Sequence, residues 1–173
     1  MKYKFFILIP AILFFLPAKA THSLTGYISY EHLSGYNYEF TITYYMDISS
    51  PADRDQLQIN YGDGSFDTIS RIEEIIMGDV NKSIYKGTHE YAASDEYIIY
   101  CLDPNMIDQI INIDGSVNQP FYIQTTLIII DPLLFGYNIA PVISNVPLAE
   151  ASVGEVFNFN LAAYDSDGDV LKY

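Results

Sequence analysis

The stretch Tyr36–Asp47, YNYEFTITYYMD, alternates between two sets of side chains and thereby indicates the fold class of the chain. One set comprises Tyr36, Tyr38, Phe40, Ile42, Tyr44 and Met46. The other set comprises Asn37, Glu39, Thr41, Thr43, Tyr45 and Asp47. A period of two residues is typical of a half-buried β-strand, because successive side chains point to opposite faces of a sheet.

Strand-like segments recur on both sides of this stretch. Tyr27–Leu33 precedes it, and the turn residues Ser34-Gly35 between them predict a β-hairpin. Further strands are predicted at Leu57–Tyr61, Ile69–Met77, Ile84–Tyr91, Glu96–Leu102, Ile107–Ile113 and Phe121–Ile130. A short helix is the alternative for Ile69–Met77, since Arg71, Glu73 and Glu74 interrupt its apolar residues. Seven to nine short strands separated by turns predict an all-β chain built on a β-sandwich of roughly 110 residues.

The N-terminus has the three parts of a secretory signal peptide. Lys2 and Lys4 supply positive charge, Phe5–Leu16 is a continuous apolar run, and Pro17–Ala20 ends in small residues. We predict a signal peptide at residues 1–20 with cleavage after Ala20. The apolar run is shorter than the roughly 20 residues that a membrane-spanning helix needs, so no integral membrane span is expected.

Charge and cysteine content exclude several classes of function. The chain has 22 acidic and 8 basic residues and a net charge of −14. Nucleic acid and anionic membranes are therefore not expected as partners, because both require a basic surface. Cys101 is the one cysteine, so no internal disulfide can form, and its apolar surroundings predict a small buried side chain.

A glycine-rich turn follows the strand that ends at Tyr61. Gly62 and Gly64 permit positive φ angles, and the side chains of Asp63 and Ser65 can accept hydrogen bonds from the exposed turn amides. His89-Glu90-Tyr91 and the strand Glu96–Tyr100 lie downstream.

This combination resembles the polycystic-kidney-disease-type (PKD) domain, whose pattern is an aromatic residue, Gly-Asp-Gly-Ser, a later His-x-Tyr and a "G-x-Y-x-V" strand. The resemblance covers roughly residues 55–103 and implies an immunoglobulin-like (Ig-like) sandwich in which Tyr91 and Tyr97 pack against the core. Two positions depart from the family pattern. Tyr61 stands where the family usually has Trp or Phe, and Glu96 replaces a glycine.

A second resemblance concerns the N-terminal part of the mature chain. Thr21–Glu31 and the strand Tyr38–Thr43 look like the start of large secreted surface proteins of gliding Bacteroidota, which carry PKD and cadherin-like repeats and a C-terminal sorting domain. The resemblance implies a role in adhesion or gliding motility. It also implies export to the cell surface, either as a free secreted protein or in association with the outer membrane.

The last part of the chain resembles the beginning of another module. Residues 133–141 form the predicted linker between a PKD-like domain at 21–132 and a segment at 142–173. The segment ends in Ala163–Tyr173, which is similar to the "A-x-D-x-D-G-D-x-L-x-Y" region of cadherin-like repeats. We therefore expect a truncated cadherin-like or Ig-like domain that continues beyond Tyr173. The alternative is a complete small secreted protein in which residues 141–173 add a pair of strands.

A calcium site is predicted at Asp165, Asp167 and Asp169, where three carboxylates alternate around a glycine. The spacing resembles the first half of an EF-hand loop, but the preceding residues look like a strand, so a site between cadherin-like repeats is the preferred interpretation. A solvated acidic turn is the alternative. Asp63 and Asp67 form a weaker candidate, since Asp63 is better explained as a turn-stabilising residue.

No catalytic motif is present in the sequence. It contains no Gly-x-Ser-x-Gly elbow, no His-Glu-x-x-His helix and no phosphate-binding loop, and its histidines His22, His32 and His89 are isolated. We predict a non-enzymatic binding or spacer module for an extracellular protein or polysaccharide. The alternative is an accessory region of a larger secreted polysaccharidase or protease, and a paired-carboxylate hydrolase remains open because acidic residues are so numerous.

Overall fold

The computed structural model describes residues 23–104, 106–107, 110, 113–130, 136–147 and 151–171. Within these ranges the chain is all-β, and its strands are β1 (Ser23–Ser34), β2 (Asn37–Asp47), β3 (Gln56–Asn60), β4 (Phe66–Met77), β5 (Val80–Glu90), β6 (Glu96–Asp103), β7 (Phe121–Ile128), β8 (Val142–Ile143) and β9 (Ala163–Tyr164). A short 3-10 helix, Ser116–Asn118, precedes β7. None of the helical structure in the described ranges is long and apolar enough to cross a membrane. The all-β prediction is confirmed.

Seven strands form one antiparallel sheet in the order β1-β2-β5-β4-β3-β6-β7. The predicted hairpin is present, with Ile28 of β1 opposite Ile42 of β2 and a turn at Gly35. Two further hairpins join β3 to β4 and β4 to β5, whereas the connections from β2 to β3 and from β5 to β6 run between strands that are not neighbours. The sheet therefore brings sequence-distant segments side by side.

Strand β4 is shared between two pairing partners. Its first part, Phe66–Ser70, pairs with β3, and its second part, from Arg71 to Met77, pairs with β5 across a register shift between Arg71 and Glu73. The helical alternative for this segment is wrong. Its charged residues lie in a strand with an exposed face, where they cost little.

The core is formed by one continuous cluster of buried side chains. Phe40, Ile42 and Tyr44 of β2 are fully buried, as the alternation predicts. The ring of Tyr44 meets the ring of Phe121 from β7 edge-on at 5.2 Å, although β2 and β7 are not neighbours in the sheet order. Thus, side chains from both ends of the sheet order pack in the same core.

The opposite face of β2 is less exposed than the alternation predicts. Thr43 and Tyr45 belong to the predicted outer set, yet both are buried. The hydroxyl of Tyr45 hydrogen-bonds the side chain of Tyr27 on the neighbouring strand β1. A cross-strand tyrosine pair on the outer face therefore removes Tyr45 from water.

The strand predicted at Ile107–Ile113 is absent at the residues described there, which are Ile107, Ile110 and Ile113. Instead, the side chain of Ser116 hydrogen-bonds the backbone of Ile107 and Ile110. The Ser116 hydroxyl donates to the carbonyl of Ile107 at 2.7 Å and accepts from the amide of Ile110 at 3.3 Å. These bonds occupy backbone groups that a strand would use for pairing.

The C-terminal part contains the small antiparallel sheet of β8 and β9. It is connected to β1 by side-chain contacts. The Asn138 side-chain amide donates to the hydroxyl of Tyr30 on β1 at 2.8 Å, and within the C-terminal part the Ile139 backbone amide donates to Asp167 Oδ2 at 2.6 Å. The predicted signal peptide, His22, and residues 131–135 around the start of the predicted linker lie outside the described residues.

Candidate functional site

The Gly62–Ser65 turn has the conformation that the sequence predicts. Gly62 and Gly64 have φ angles of +84° and +91°. A Cβ atom on Gly62 would lie 2.7 Å from the backbone nitrogen and oxygen of Ile98, so glycine is required there by space as well as by conformation. Asp63 Oδ1 accepts hydrogen bonds from the Ser65 amide at 2.9 Å and from the Ser65 hydroxyl at 2.5 Å. The prediction that Asp63 stabilises the turn is confirmed.

His89 of β5 lies against this turn and against two tyrosines. Its Nε2 is 2.7 Å from Asp63 Oδ2, its ring stacks on Tyr61 at 4.2 Å, and it meets Tyr91 edge-on at 4.6 Å. Partial burial alone would raise the pKa of Asp63, but the hydrogen bonds from Ser65 and the contact with His89 outweigh it and lower this pKa to about 2. His89 therefore has a structural role at this turn.

The grouping of Ser65, His89 and Asp63 has the residue types of a serine-hydrolase triad but a different geometry. Both Asp63 and Ser65 approach the same imidazole nitrogen, Nε2, at 2.7 Å and 3.5 Å. In a triad the carboxylate holds one ring nitrogen while the serine hydroxyl faces the other, so that the imidazole can accept the serine proton. Here the serine hydroxyl donates to the carboxylate instead. These contacts hold the conformation of the Gly62–Ser65 turn.

Tyr91 and Tyr97 pack as the PKD resemblance implies. Both are buried, their rings stack at 4.1 Å, and the Tyr91 hydroxyl donates to the carbonyl of Tyr61 at 2.9 Å. The hydroxyl of Tyr61 is buried and has no hydrogen-bond partner among the described residues. The ring of Tyr61 therefore suits this buried position better than its hydroxyl does, since a buried hydroxyl without a partner is unfavourable.

Cys101 is fully buried on β6. Burial and the nearby carboxylate of Asp103 raise the pKa of its thiol to about 12. A thiol with this pKa stays protonated at neutral pH, and the thiolate is the reactive form. The prediction of a small buried apolar side chain is confirmed.

The three predicted calcium ligands lie in the turn after β9. Asp165 Oδ1 accepts from the amides of Asp167 at 2.9 Å and Asp169 at 3.2 Å, while Asp167 Oδ2 accepts from Ile139. Across the described ranges, no group of three or more His, Cys, Asp or Glu side chains is arranged so that it could hold a metal ion. Asp165 Oδ1 and Asp167 Oδ2 thus accept hydrogen bonds from backbone amides. Calcium binding at these residues stays a prediction.

The weaker candidate pair for calcium, Asp63 and Asp67, also makes hydrogen bonds with other residues of the chain. Asp67 Oδ1 accepts from the Thr68 amide at 2.7 Å, and Asp63 is held by Ser65 and His89.

An exposed face that sequence reasoning missed lies on the outer side of β6 and β7. We define the β6–β7 outer face by Ile98, Tyr100, Leu102, Tyr122, Gln124, Thr126 and Ile128. Its large apolar members are exposed, with 45% for Ile98, 53% for Leu102 and 48% for Tyr122. These seven residues are uncharged, and Glu96, which is exposed on the same side of β6 opposite Ile128, places a carboxylate at the end of the face.

The neighbouring strand β3 continues the same surface with amide side chains. Gln56, Gln58 and Asn60 alternate with the buried residues Leu57 and Ile59. Neighbouring exposed apolar side chains make this surface a candidate interaction site. The available signal was the continuous apolar run of β6, which has no alternation and hence predicts apolar side chains on both faces.

No family model, curated protein or solved structure matches this chain.

Proposed function

We propose that this chain is a secreted, non-catalytic module of a cell-surface or adhesion-type protein that binds an extracellular protein or polysaccharide. The observation that carries the proposal is the β6–β7 outer face. It presents Ile98, Leu102 and Tyr122 to solvent, with the carboxylate of Glu96 confined to its end, on a chain whose net charge is −14. A surface of this kind loses unfavourable contact with water when a partner covers it.

The proposed architecture is an Ig-like, PKD-type sandwich followed by the start of a cadherin-like repeat. The shared core supports it, because Tyr44 of β2 contacts Phe121 of β7. The change of pairing partner along β4 also supports it, because strands that switch between sheets at a bulge are a feature of packed sheets. Closely packed strands of this kind suit a stiff spacer that holds a binding face away from the cell.

Export through a signal peptide and stabilisation by calcium are parts of the same proposal. Residues 1–20 are proposed to be removed before the protein reaches the cell surface or the outer membrane. N-terminal sequencing of the protein from its host would then begin at Thr21. An N-terminus at Met1 on the cell-associated protein would contradict export by this route.

The binding role is tested by comparing two matched surface changes. The double variant Leu102→Gln/Tyr122→Ala removes apolar surface from the β6–β7 outer face, and Ile76→Gln does so at an equally exposed position on β4. We expect the purified chain to co-sediment with washed cell envelopes of its host or with an insoluble extracellular polysaccharide.

The double variant should lower that binding at least about fivefold, because central apolar contacts carry most of the energy of an interface. Ile76→Gln should leave it unchanged. Equal binding by the wild type and the double variant, or binding to none of these polymers, would contradict the proposal.

A further inference from the structure

A groove of about 600 Å³ separates the end of β1 from the C-terminal sheet, on a different part of the molecule from the β6–β7 outer face. Its walls include Glu31, His32, Tyr137, Ile139, Val142 and Tyr164. The hydrogen bond from Asn138 to Tyr30 joins the two walls, and the bond from Ile139 to Asp167 lies within the C-terminal wall.

Aromatic rings form much of the groove surface. The His32 ring stacks on the Tyr137 ring at 3.4 Å and 14°, and His32 Nε2 lies 3.0 Å from the carbonyl oxygen of Gly35. Tyr164 on β9 is 55% exposed, although it lines a groove. Tyr164 therefore offers exposed ring surface to the groove, whereas His32 covers one face of the Tyr137 ring.

Acidic side chains line the groove or lie close to its neighbour Tyr30, while Lys86 lines the adjoining cavity, where it pairs with Glu39. Among the described residues that line the groove, Glu31 carries a charge and none is a lysine or arginine. The carboxylates of Asp165, Asp167 and Asp169 are close enough to act on Tyr30, whose pKa is raised by burial first and then by these carboxylates, against a hydrogen bond from Asn138 that lowers it. A positively charged group in the groove would thus be attracted by Glu31 and by the three aspartates.

We propose that this groove binds a lysine or arginine side chain presented by an extended segment of a partner protein. The tyrosine faces attract the cation through their π-electrons, and the Glu31 carboxylate pairs with it. A calcium ion fits the groove less well, because calcium needs six to eight oxygen ligands and, of the described lining residues, Glu31 alone has a carboxylate. An anionic glycan is disfavoured by the same negative charges.

The experiment is an NMR titration of the full chain with three capped tripeptides, acetyl-Gly-X-Gly-amide, in which X is lysine, norleucine or glutamate. Norleucine keeps the aliphatic stem of lysine and lacks the ammonium group, so it isolates the charge. The ring signals of Tyr137 and Tyr164 report the binding site. Variants Glu31→Gln and Tyr164→Ala test the two contacts, and Tyr164→Phe preserves the ring.

Asp79→Asn is the matched control for charge, because it removes one carboxylate at the other end of the sheet. Asp79 lies in the β4–β5 turn next to Asp47, whereas Glu31 is opposite Glu39 on β2. The two carboxylates are therefore about eight strand positions apart, or roughly 26 Å. A general attraction of cations to an acidic chain would respond equally to both changes.

We expect the lysine peptide to shift the tyrosine signals and the other two peptides to leave them in place. Tyr164→Ala should weaken lysine binding about tenfold and Glu31→Gln about threefold, while Tyr164→Phe and Asp79→Asn stay within about twofold of the wild type. Equal shifts with norleucine, an equal loss in Asp79→Asn, or no binding of lysine would overturn the inference. Tyrosine shifts caused by calcium chloride alone, with no effect of the lysine peptide, would assign the groove to a metal ion and overturn it as well.

Discussion

Two turns of this chain share an Asp-Gly composition but differ in what holds them. The turn Gly62–Ser65 is fixed by a residue from another strand, since Asp63 contacts His89, and His89 stacks on Tyr61. The turn Asp165–Asp169 is held mainly by its own amides, with one bond to Ile139. The same residue types therefore form a turn that packs against core tyrosines in one place and an exposed acidic turn in the other.

The two turns should differ most in how much stability is lost when one of their glycines is replaced by alanine. Gly62→Ala should lower the free energy of unfolding by about 3 kcal/mol or more, because it adds a clash with the Ile98 backbone to the strain of a positive φ. Gly168→Ala should cost about 1 kcal/mol, since its φ is +85° and a Cβ there would meet nothing within 4 Å. Urea denaturation measures both.

Gly64→Ala is the control for these glycine changes, because it lies in the first turn, has a φ of +91° and has open space around it. It should resemble Gly168→Ala. If Gly62→Ala and Gly64→Ala cost the same, the close approach to Ile98 does not matter for stability.

Acid should weaken the first turn through Asp63. The pKa of Asp63 in the folded chain is about 2, below its ordinary value of 3.8, so its ionised form stabilises the fold. This contribution, about 1–2 kcal/mol for a partly exposed group, is complete above pH of about 4 and is lost as the pH falls through about 2. Asp63→Asn should therefore be less stable than the wild type at neutral pH.

The difference between Asp63→Asn and the wild type should shrink as the pH falls from about 4 to about 2. Urea denaturation of both proteins across that range measures it, and Asp167→Asn serves as the matched aspartate change in the second turn. A difference that stays constant with pH would contradict the proposed contribution of Asp63.

Loss of the hydroxyl should change the free energy of unfolding in opposite directions at the two tyrosines around the first turn, Tyr91 and Tyr61. Tyr91→Phe removes the bond to the Tyr61 carbonyl and should cost about 1 kcal/mol, whereas Tyr61→Phe removes a buried hydroxyl without a partner among the described residues and should stabilise by up to about 1 kcal/mol. Thermal unfolding of both variants measures the pair. Destabilisation by Tyr61→Phe would mean that its hydroxyl has a partner such as bound water.

The smallest expected effect is the stabilisation of the second turn by calcium. Calcium at about five times its Kd should raise the free energy of unfolding by about 1 kcal/mol or less. Magnesium at the same concentration should do less, because it loses its water ligands reluctantly. The triple variant Asp165→Asn/Asp167→Asn/Asp169→Asn should lose the calcium effect, and Asp63→Asn should keep it. An effect that survives in the triple variant would place calcium elsewhere.

Much of the fold could be predicted because its signals are local. The alternation in β2 identifies the core face containing Phe40 and Ile42, and the turn at Gly35 identifies the hairpin with β1. The strand predicted at Ile107–Ile113 is wrong at its described residues, because the Ser116 hydroxyl takes up backbone groups there. Apolar composition alone could not reveal that local bond.

The binding surfaces were harder to predict than the fold. Ile98 and Leu102 lie in a continuous apolar run, and such a run looks the same whether a second layer covers its outer side or not. The groove beside Glu31 joins residues more than 130 positions apart in sequence, including Tyr164, so no local pattern contains it. The calcium ligands were predicted from spacing alone, and in the structure oxygens of Asp165 and Asp167 accept hydrogen bonds from backbone amides.

The sequence was sufficient for properties that depend on neighbouring residues. It established the strand period, the positive φ at Gly62 and Gly64, and the strong negative charge, because sterics and composition act within a few residues. Long-range packing was needed to bring His89 to Asp63, to divide β4 between two partners, and to leave the outer side of β6 and β7 uncovered. These features arise from contacts between distant segments, whose geometry follows from how the whole core packs.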